Sequence, residues 1–171
     1  YQIVEKTPEY ARLIGYGLDY GYSNDPSALV AIYYADGNHY LDELIYRTGL
    51  LNKQISDRMK ALNIDRYVQT VADSAEQKSN QEMRTYGWFI RDAKKGQDSI
   101  RFGIQKMQEL NLFVTQNSVN LIHELKQYIW EVDRQGNHTG KPIDKYNHAI
   151  DAVRYYFQTA DADPDKPKFA F

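Results

Sequence analysis

No cysteine occurs anywhere in the 171 residues, which excludes disulfides and thiolate metal sites and suits a reducing compartment. No apolar run approaches the roughly 20 residues needed to cross a bilayer, so no membrane partner is expected. The first ten residues carry Glu5, Lys6 and Glu9 and therefore lack the apolar core of a signal peptide. Positive charge is not in excess either: 21 Lys and Arg face 23 Asp and Glu, for a net charge of −2. A protein that grips nucleic acid by charge alone usually has a basic surplus. One that gathers carboxylates around metal ions needs no such surplus, because the ions supply the positive charge. Repeats and low-complexity segments are also missing. The length is that of one ordinary domain with a single core.

Residues 13–19 read as a buried strand containing Gly15 and Gly17, and residues 27–34 as a second strand rich in branched and aromatic side chains. Asp36-Gly37-Asn38 is a turn signal, after which residues 39–46 return as a third strand. The period then changes. Ile55, Met59 and Leu62 recur at helical spacing behind Asn52, a capping candidate. Residues 67–72 form a short strand ending at Asp73, and Ser79 with Glu82 matches a capping box at a helix start. Residues 89–93 read as a strand. A helix opening at Asp98 or Ser99 carries Ile100, Ile104, Met107 and Leu110, and residues 112–115 are again extended. Ser118 caps a helix with Val119, Ile122 and Leu125 on its apolar face. Residues 128–132 look extended, 133–140 are a polar turn, and 147–157 make the last helix. A meander followed by strands alternating with helices implies an α/β fold, a mixed sheet with helices on its faces. Residues 1–12 read as a lead-in and 158–171, with Asp163-Pro164 and Lys166-Pro167, as a tail.

Two aspartates stand at expected strand ends. Asp19 lies between Gly17 and Gly21, which leave space for a phosphate or a neighbouring backbone to come close; Asp and Gly are equally routine in turns. Asp73 follows Val71-Ala72 and is either a loop residue or, at the end of a neighbouring strand, part of the kind of site that α/β sheets build there. On the last helix, about 100° per residue puts Asp144, His148, Asp151 and Tyr155 on one stripe. Tyr146, Ala149, Ile150, Val153, Tyr156 and Phe157 lie opposite. The stripe is a solvated face or a functional one, and small Ala149 and Ala152 leave room beside Asp151. On such a face Asp151 could lose its charge with little loss of stability. Aspartates from two strand ends and a helix, if they converge, make a site of hard oxygen ligands that suits Mg²⁺ or Mn²⁺ and suits zinc poorly. Two such ions activate water and stabilise the leaving oxygen of a phosphodiester.

The succession Gly17-Leu18-Asp19-Tyr20-Gly21, Ala72-Asp73-Ser74-Ala75-Glu76, Lys94-Lys95-Gly96 with Ser99-Ile100, and His148-Ala149-Ile150-Asp151-Ala152 with Arg154-Tyr155 resembles the nuclease domain of large terminase subunits of tailed bacteriophages. The resemblance runs from about residue 13 to 157 and implies a ribonuclease H-like fold. It implies that Asp19, Asp73 and Asp151 bind two catalytic Mg²⁺ or Mn²⁺ ions, Asp19 bridging them, with His148 an accessory ligand or proton-handling group. Glu76 is an accessory candidate or a charge favoured by a helix start, Asp144 shares the stripe, and Asp25 reads as a turn residue. Lys78, Lys94 and Lys95 would contact phosphates or simply remain solvated. The implied activity is cutting of concatemeric double-stranded viral DNA during genome packaging, in the cytoplasm of the bacterial host. The implied partners are an ATPase motor domain, the portal protein and a small terminase subunit. No Gly-x-x-x-x-Gly-Lys-Ser/Thr loop occurs, so ATP hydrolysis is not assigned. With no methionine at its start, the chain reads as an excised domain or a stand-alone nuclease. Two other readings stand beside this one: a resolvase or transposase-like nuclease of the same fold, which the Lys-Lys-Gly and His-x-x-Asp pairings disfavour, and a catalytically silent portal or capsid docking module.

Overall fold

A short strand, β1 (Gln2–Val4), precedes three longer ones, β2 (Arg12–Asp19), β3 (Pro26–Ala35) and β4 (Asn38–Thr48), which pair antiparallel as the hydropathy pattern requires. The computed structural model describes residues 1–128, 130–132, 134–142, 147–160 and 164–165. Between β3 and β4 both turn residues, Asp36 and Gly37, take positive φ, the twist that suits a two-residue hairpin. Helix α1 (Asn52–Ala61), strand β5 (Thr70–Ala72), helix α2 (Gln77–Thr85) and strand β6 (Ile90–Asp92) follow. Then come α3 (Ser99–Gln108), β7 (Asn111–Thr115), α4 (Val119–Gln127), a small hairpin of β8 (Trp130–Val132) with β9 (His138–Pro142), and α5 (His148–Thr159). The seven-stranded sheet has the order β1-β7-β4-β3-β2-β5-β6, antiparallel in its middle and parallel at both sides. This is the mixed α/β sheet that the order of elements implied. Gln2–Val4, in the segment read as a lead-in, pair with β7 at the sheet's edge.

The sheet separates two apolar layers. Along β3, Ala28, Val30 and Ile32 face α5 together with Met107 and Leu121, while Leu29 and Ala31 face Ile55, Met59 and Met83 on the other side. Burying side chains the size of Phe157 or Met59 contributes about 1.5–3 kcal/mol each. No helix among the described residues is long and apolar enough to cross a membrane.

Helix α5 departs from the expected two-faced design. From Ala149 to Thr159 every residue except Asp151 is buried, including Arg154, Tyr155 and Gln158. Gly17 explains how. A Cβ there would lie 1.9 Å from the backbone oxygen of Ala152, so the helix rests directly on β2. The space provided by Gly17 and Ala152 is thus filled by backbone packing. It is not left open for a phosphate. Gly21 is used similarly, against Asp25 and Pro26.

Other boundaries differ for local reasons. The strand expected from residue 67 begins at Thr70, because Asp65 accepts the Tyr67 amide (2.9 Å) and holds a turn that leaves Tyr67 exposed. The Ser79–Glu82 pair does not cap α2, which has already begun at Gln77; Ser79 is buried inside it, and Glu82 accepts from Asn52 Nδ2 (2.8 Å). Asn52 is the first residue of α1, with Leu51 at the cap position, and ties α1 to α2. Ser118 does stand at the cap of α4, but Glu43 does the capping, accepting from the Leu121 amide and from Asn120 Nδ2, both at 2.6 Å. Of the expected apolar face of α4, Ile122 and Leu125 pack against the core beside fully buried Leu121 and Glu124, while Val119 is exposed. Residues 138–140, the end of the stretch read as a polar turn, belong to β9.

Candidate active site

The paired rows of β2 and β5 end at Leu18 opposite Ala72. The next residues are Asp19 and Asp73, so both carboxylates leave the same edge of the sheet from adjacent strands. The register of α5 against Gly17 brings its first turn to that edge. His148 Nδ1 lies 3.1 Å from Asp19 Oδ2. Its Nε2 lies 3.6 Å from Asp25 Oδ1, so Asp25, read as a turn residue only, faces the imidazole as well.

Charge links the three aspartates. Burial pushes the Asp19 carboxyl up to about 6; the His148 hydrogen bond opposes this, and the negative charges of Asp151 and Asp73 add to it. The Asp19 hydrogen bond in turn raises His148, against its own burial. Burial also acts on Asp73, but there the Ala75 amide (2.9 Å), Lys95 Nζ (2.7 Å) and the Tyr155 hydroxyl (3.3 Å) win, holding the carboxyl below its ordinary value. Asp151 Oδ1 accepts from Arg154 Nε at 3.0 Å, and Asn147 Nδ2 stands 3.4 Å from its Oδ2. The phenol of Tyr155 is raised by burial first and then by Asp19, Asp151 and Asp73, all three of which act on it. A titration followed by carboxyl-carbon NMR checks this in protein stripped of divalent ions. Asp19 is expected to take up its proton near pH 6, and a midpoint below 4 would show that solvent screens these charges.

The remaining candidates divide. Glu76 sits at the start of α2 and accepts from the Tyr22 hydroxyl. Lys95 reaches Asp73. Lys94 does not: its amide donates to Thr159 Oγ1 and its carbonyl accepts from Gln158 Nε2, both at 2.9 Å, and the residue lines a groove with Arg12 and Arg91. Lys78 is exposed on the first turn of α2 and pairs with none of these carboxylates. Asp144 lies outside the described residues. Among the described residues, no three acidic or histidine side chains are arranged as ligands of one ion. Asp19, Asp73 and Asp151 are instead turned toward His148, Lys95 and Arg154 respectively.

Two contributors escape a sequence reading. Glu124 is buried on α4, where its Oε2 accepts the Ile150 amide (2.9 Å) and its Oε1 the Tyr46 hydroxyl (2.8 Å). A carboxylate there satisfies the free amides at the start of α5 and so fixes the turn bearing His148 and Asp151. Its one signal is an acid at helical spacing beside Leu121 and Leu125. Arg154 is buried beneath Asp151 and also bonds Gln158 (3.0 Å); its signal is the i, i+3 spacing from Asp151.

The family model of the terminase RNase H-like domain matches residues 19–159. The large terminase subunit of Bacillus phage SPP1 is 32% identical over 149 residues, 83% of this chain and 35% of that protein. The chain therefore spans about a third of this relative's length. Its structure resembles the SPP1 large terminase nuclease domain, solved with bound Mn, at a TM-score of 0.77 and 26% identity over 90% of this chain and 93% of that one. The large terminase nuclease of the thermophilic phage G20c, solved with bound magnesium, shares the fold at a TM-score of 0.63 and 17% identity, over 90% and 84% of the two chains. Since the matched span opens at Asp19 and closes at Thr159, where α5 ends, it takes in every carboxylate of this cluster, and the chain belongs to the terminase RNase H-like domain family.

Proposed function

We propose that this domain is a divalent-metal-dependent endonuclease that cuts concatemeric double-stranded DNA during phage genome packaging. The observation that carries the reading is the placement of Asp19 and Asp73 side by side beyond the last paired row of two parallel strands, with His148 of α5 against Asp19 and the charges of Asp73 and Asp151 both acting on that buried carboxyl. Crowded carboxylates cost stability unless positive charge meets them, and each of the three already leans on a protein cation or a histidine. Asp19, Asp73 and Asp151 would hold two Mg²⁺ or Mn²⁺ ions, their oxygens being the hard donors such ions prefer. When bound, the ions would supply an activated water and neutralise the leaving oxygen of the phosphodiester.

The protein's own groups have distinct parts in this reading. Lys95 releases Asp73 and is then free to meet a backbone phosphate. Arg154 stays buried and orients Asp151. His148, with carboxylates at both ring nitrogens, holds a proton at the edge of the site and can pass it on. Tyr155 fixes Asp73 through its hydroxyl. In a whole large subunit, the domain would act beside an ATPase motor and with the portal protein and small subunit.

The engagement of all three carboxylates by protein groups also favours a second reading, a silent docking module. One experiment separates the two: nicking of supercoiled plasmid with Mn²⁺, Mg²⁺ or excess EDTA, beside Mn²⁺ calorimetry. The nuclease should bind Mn²⁺ and nick sequence-tolerantly with either ion but not with EDTA, because its contacts are to the DNA backbone. Absence of both binding and nicking would leave the docking module.

A further inference from the structure

Strand β2 ends at Asp19, which still pairs with Ala28 of β3, and β5 ends at Ala72, so the ladder that β2 and β5 share stops one residue short of Asp19 and Asp73. The last paired row is Leu18 opposite Ala72, and on the other side Ala72 opposite Asp92. Beyond that row, the side chain of Asn80 takes over. It projects from α2, is fully buried, and has partners at all three strand ends. Its Oδ1 accepts from the hydroxyl of Tyr20, the residue after Asp19, at 2.9 Å. Its Nδ2 donates to the backbone carbonyl of Asp73 (2.9 Å) and to Asp92 Oδ1 (2.9 Å). Asp92 is itself fixed by Arg84 Nη2 at 3.0 Å, and Arg84 Nε by the Ile90 carbonyl at 3.2 Å.

A buried asparagine often does no more than satisfy polar groups in a core. Here its partners are specific to the site: one is the peptide of Asp73, another the neighbour of Asp19. Only a planar amide of this length offers two donors and an acceptor in this arrangement. Aspartate would place oxygens against a carbonyl and a carboxylate, and leucine would make none of the three bonds.

We propose that Asn80 is a positioning residue that clamps the ends of β2 and β5 and thereby sets the spacing of Asp19 and Asp73 as metal ligands. This rests on the reading of those two aspartates as ligands. Mg²⁺ demands near-ideal octahedral geometry at about 2.1 Å, whereas Ca²⁺ accepts irregular, looser oxygen cages. A clamp that fixes ligand spacing therefore controls the preference between the two ions.

The test is calorimetry of Mg²⁺ and Ca²⁺ binding to the 171-residue chain as wild type, Asn80→Ala and Tyr20→Phe, with thermal melting alongside. Asn80→Ala should weaken Mg²⁺ binding by about 10-fold or more, in the range typical of residues that orient ligands, with a clearly smaller change for Ca²⁺. Tyr20→Phe keeps the ring and removes one arm of the clamp, so it should shift the Mg²⁺/Ca²⁺ ratio in the same direction by less. It also serves as the test if Asn80→Ala fails to fold. A lowered melting temperature with an unchanged Mg²⁺/Ca²⁺ ratio in the folded variants would overturn the proposal and make Asn80 a purely structural residue. A wild-type chain that binds neither ion would instead overturn the reading of the site, and the clamp's role with it.

Discussion

Asp19→Asn should abolish DNA cleavage and at the same time make the metal-free domain more stable. The carboxyl is buried at the end of β2, and its pKa is pushed up to about 6 from an ordinary 3.8. A group whose folded-state value is raised favours the protonated fold. Its cost is absent below about pH 4, grows as pH rises, and is complete above pH 6. A rise of this size corresponds to about 3 kcal/mol at pH 8, an upper limit because the amide that replaces the carboxyl is itself a polar group that costs free energy to bury. Asparagine keeps the size of the side chain and removes the charge. At about 2–4 °C per kcal/mol for a chain of this length, the melting temperature at pH 8 should rise by roughly 5 °C, and the gain should vanish near pH 4. Cleavage should fall by several orders of magnitude, since a neutral amide is a poor ligand for the ions of the proposed reaction. Thermal melting between pH 4 and 8, beside plasmid nicking, reads both effects. A mutant that melts lower at pH 8 and still nicks would remove Asp19 from the site.

The fold is largely legible in the sequence because its signals are local. Alternating side chains along β3, the Asp36-Gly37 turn and the helical spacing of Ile55 and Met59 each follow from a few neighbouring residues. The strand-end positions of Asp19 and Asp73 are legible for the same reason. What is not legible depends on contacts far apart in the chain. Asp151 looks solvated on a helical wheel, but the wheel cannot see that Gly17, 134 positions away, lets α5 sink onto β2 and buries nearly all of its residues. Glu124 looks like an ordinary helix charge, because nothing near it announces the free amides of α5 that it serves. Ser79 and Glu82 spell a helix start, yet the chain has a competing one: the Glu76 amide bonds the Asp73 carbonyl (3.1 Å), turning the chain before Ser79 is reached. Local rules are outvoted where packing supplies a stronger partner.

Asp151→Asn should also stop cleavage, but with the opposite effect on stability. An Asp151 on a solvated stripe could lose its charge freely, and relief of carboxylate crowding would even stabilise the fold. The structure changes the balance, because Arg154 lies beneath Asp151 with a side chain only 5% exposed and its Nε 3.0 Å from Oδ1. Losing one partner of a fully buried pair costs roughly 3–5 kcal/mol. Three features reduce that cost here. Asp151 retains some solvent exposure, the amide oxygen of asparagine can still accept from Nε, and Gln158 still accepts from the guanidinium at 3.0 Å. Reduced repulsion on Asp19 and Asp73 offsets a little more. The net loss should be about 1–2 kcal/mol, a fall of a few degrees in melting temperature where Asp19→Asn gives a rise. The pair of mutants thus separates two causes that a single mutant confuses. If both melt higher, carboxylate repulsion outweighs the buried ion pair, and Arg154 is stable without its partner. If Asp151→Asn melts lower and nicks at the wild-type rate, Asp151 serves only to hold Arg154, and the metal ligands must be sought elsewhere in the cluster.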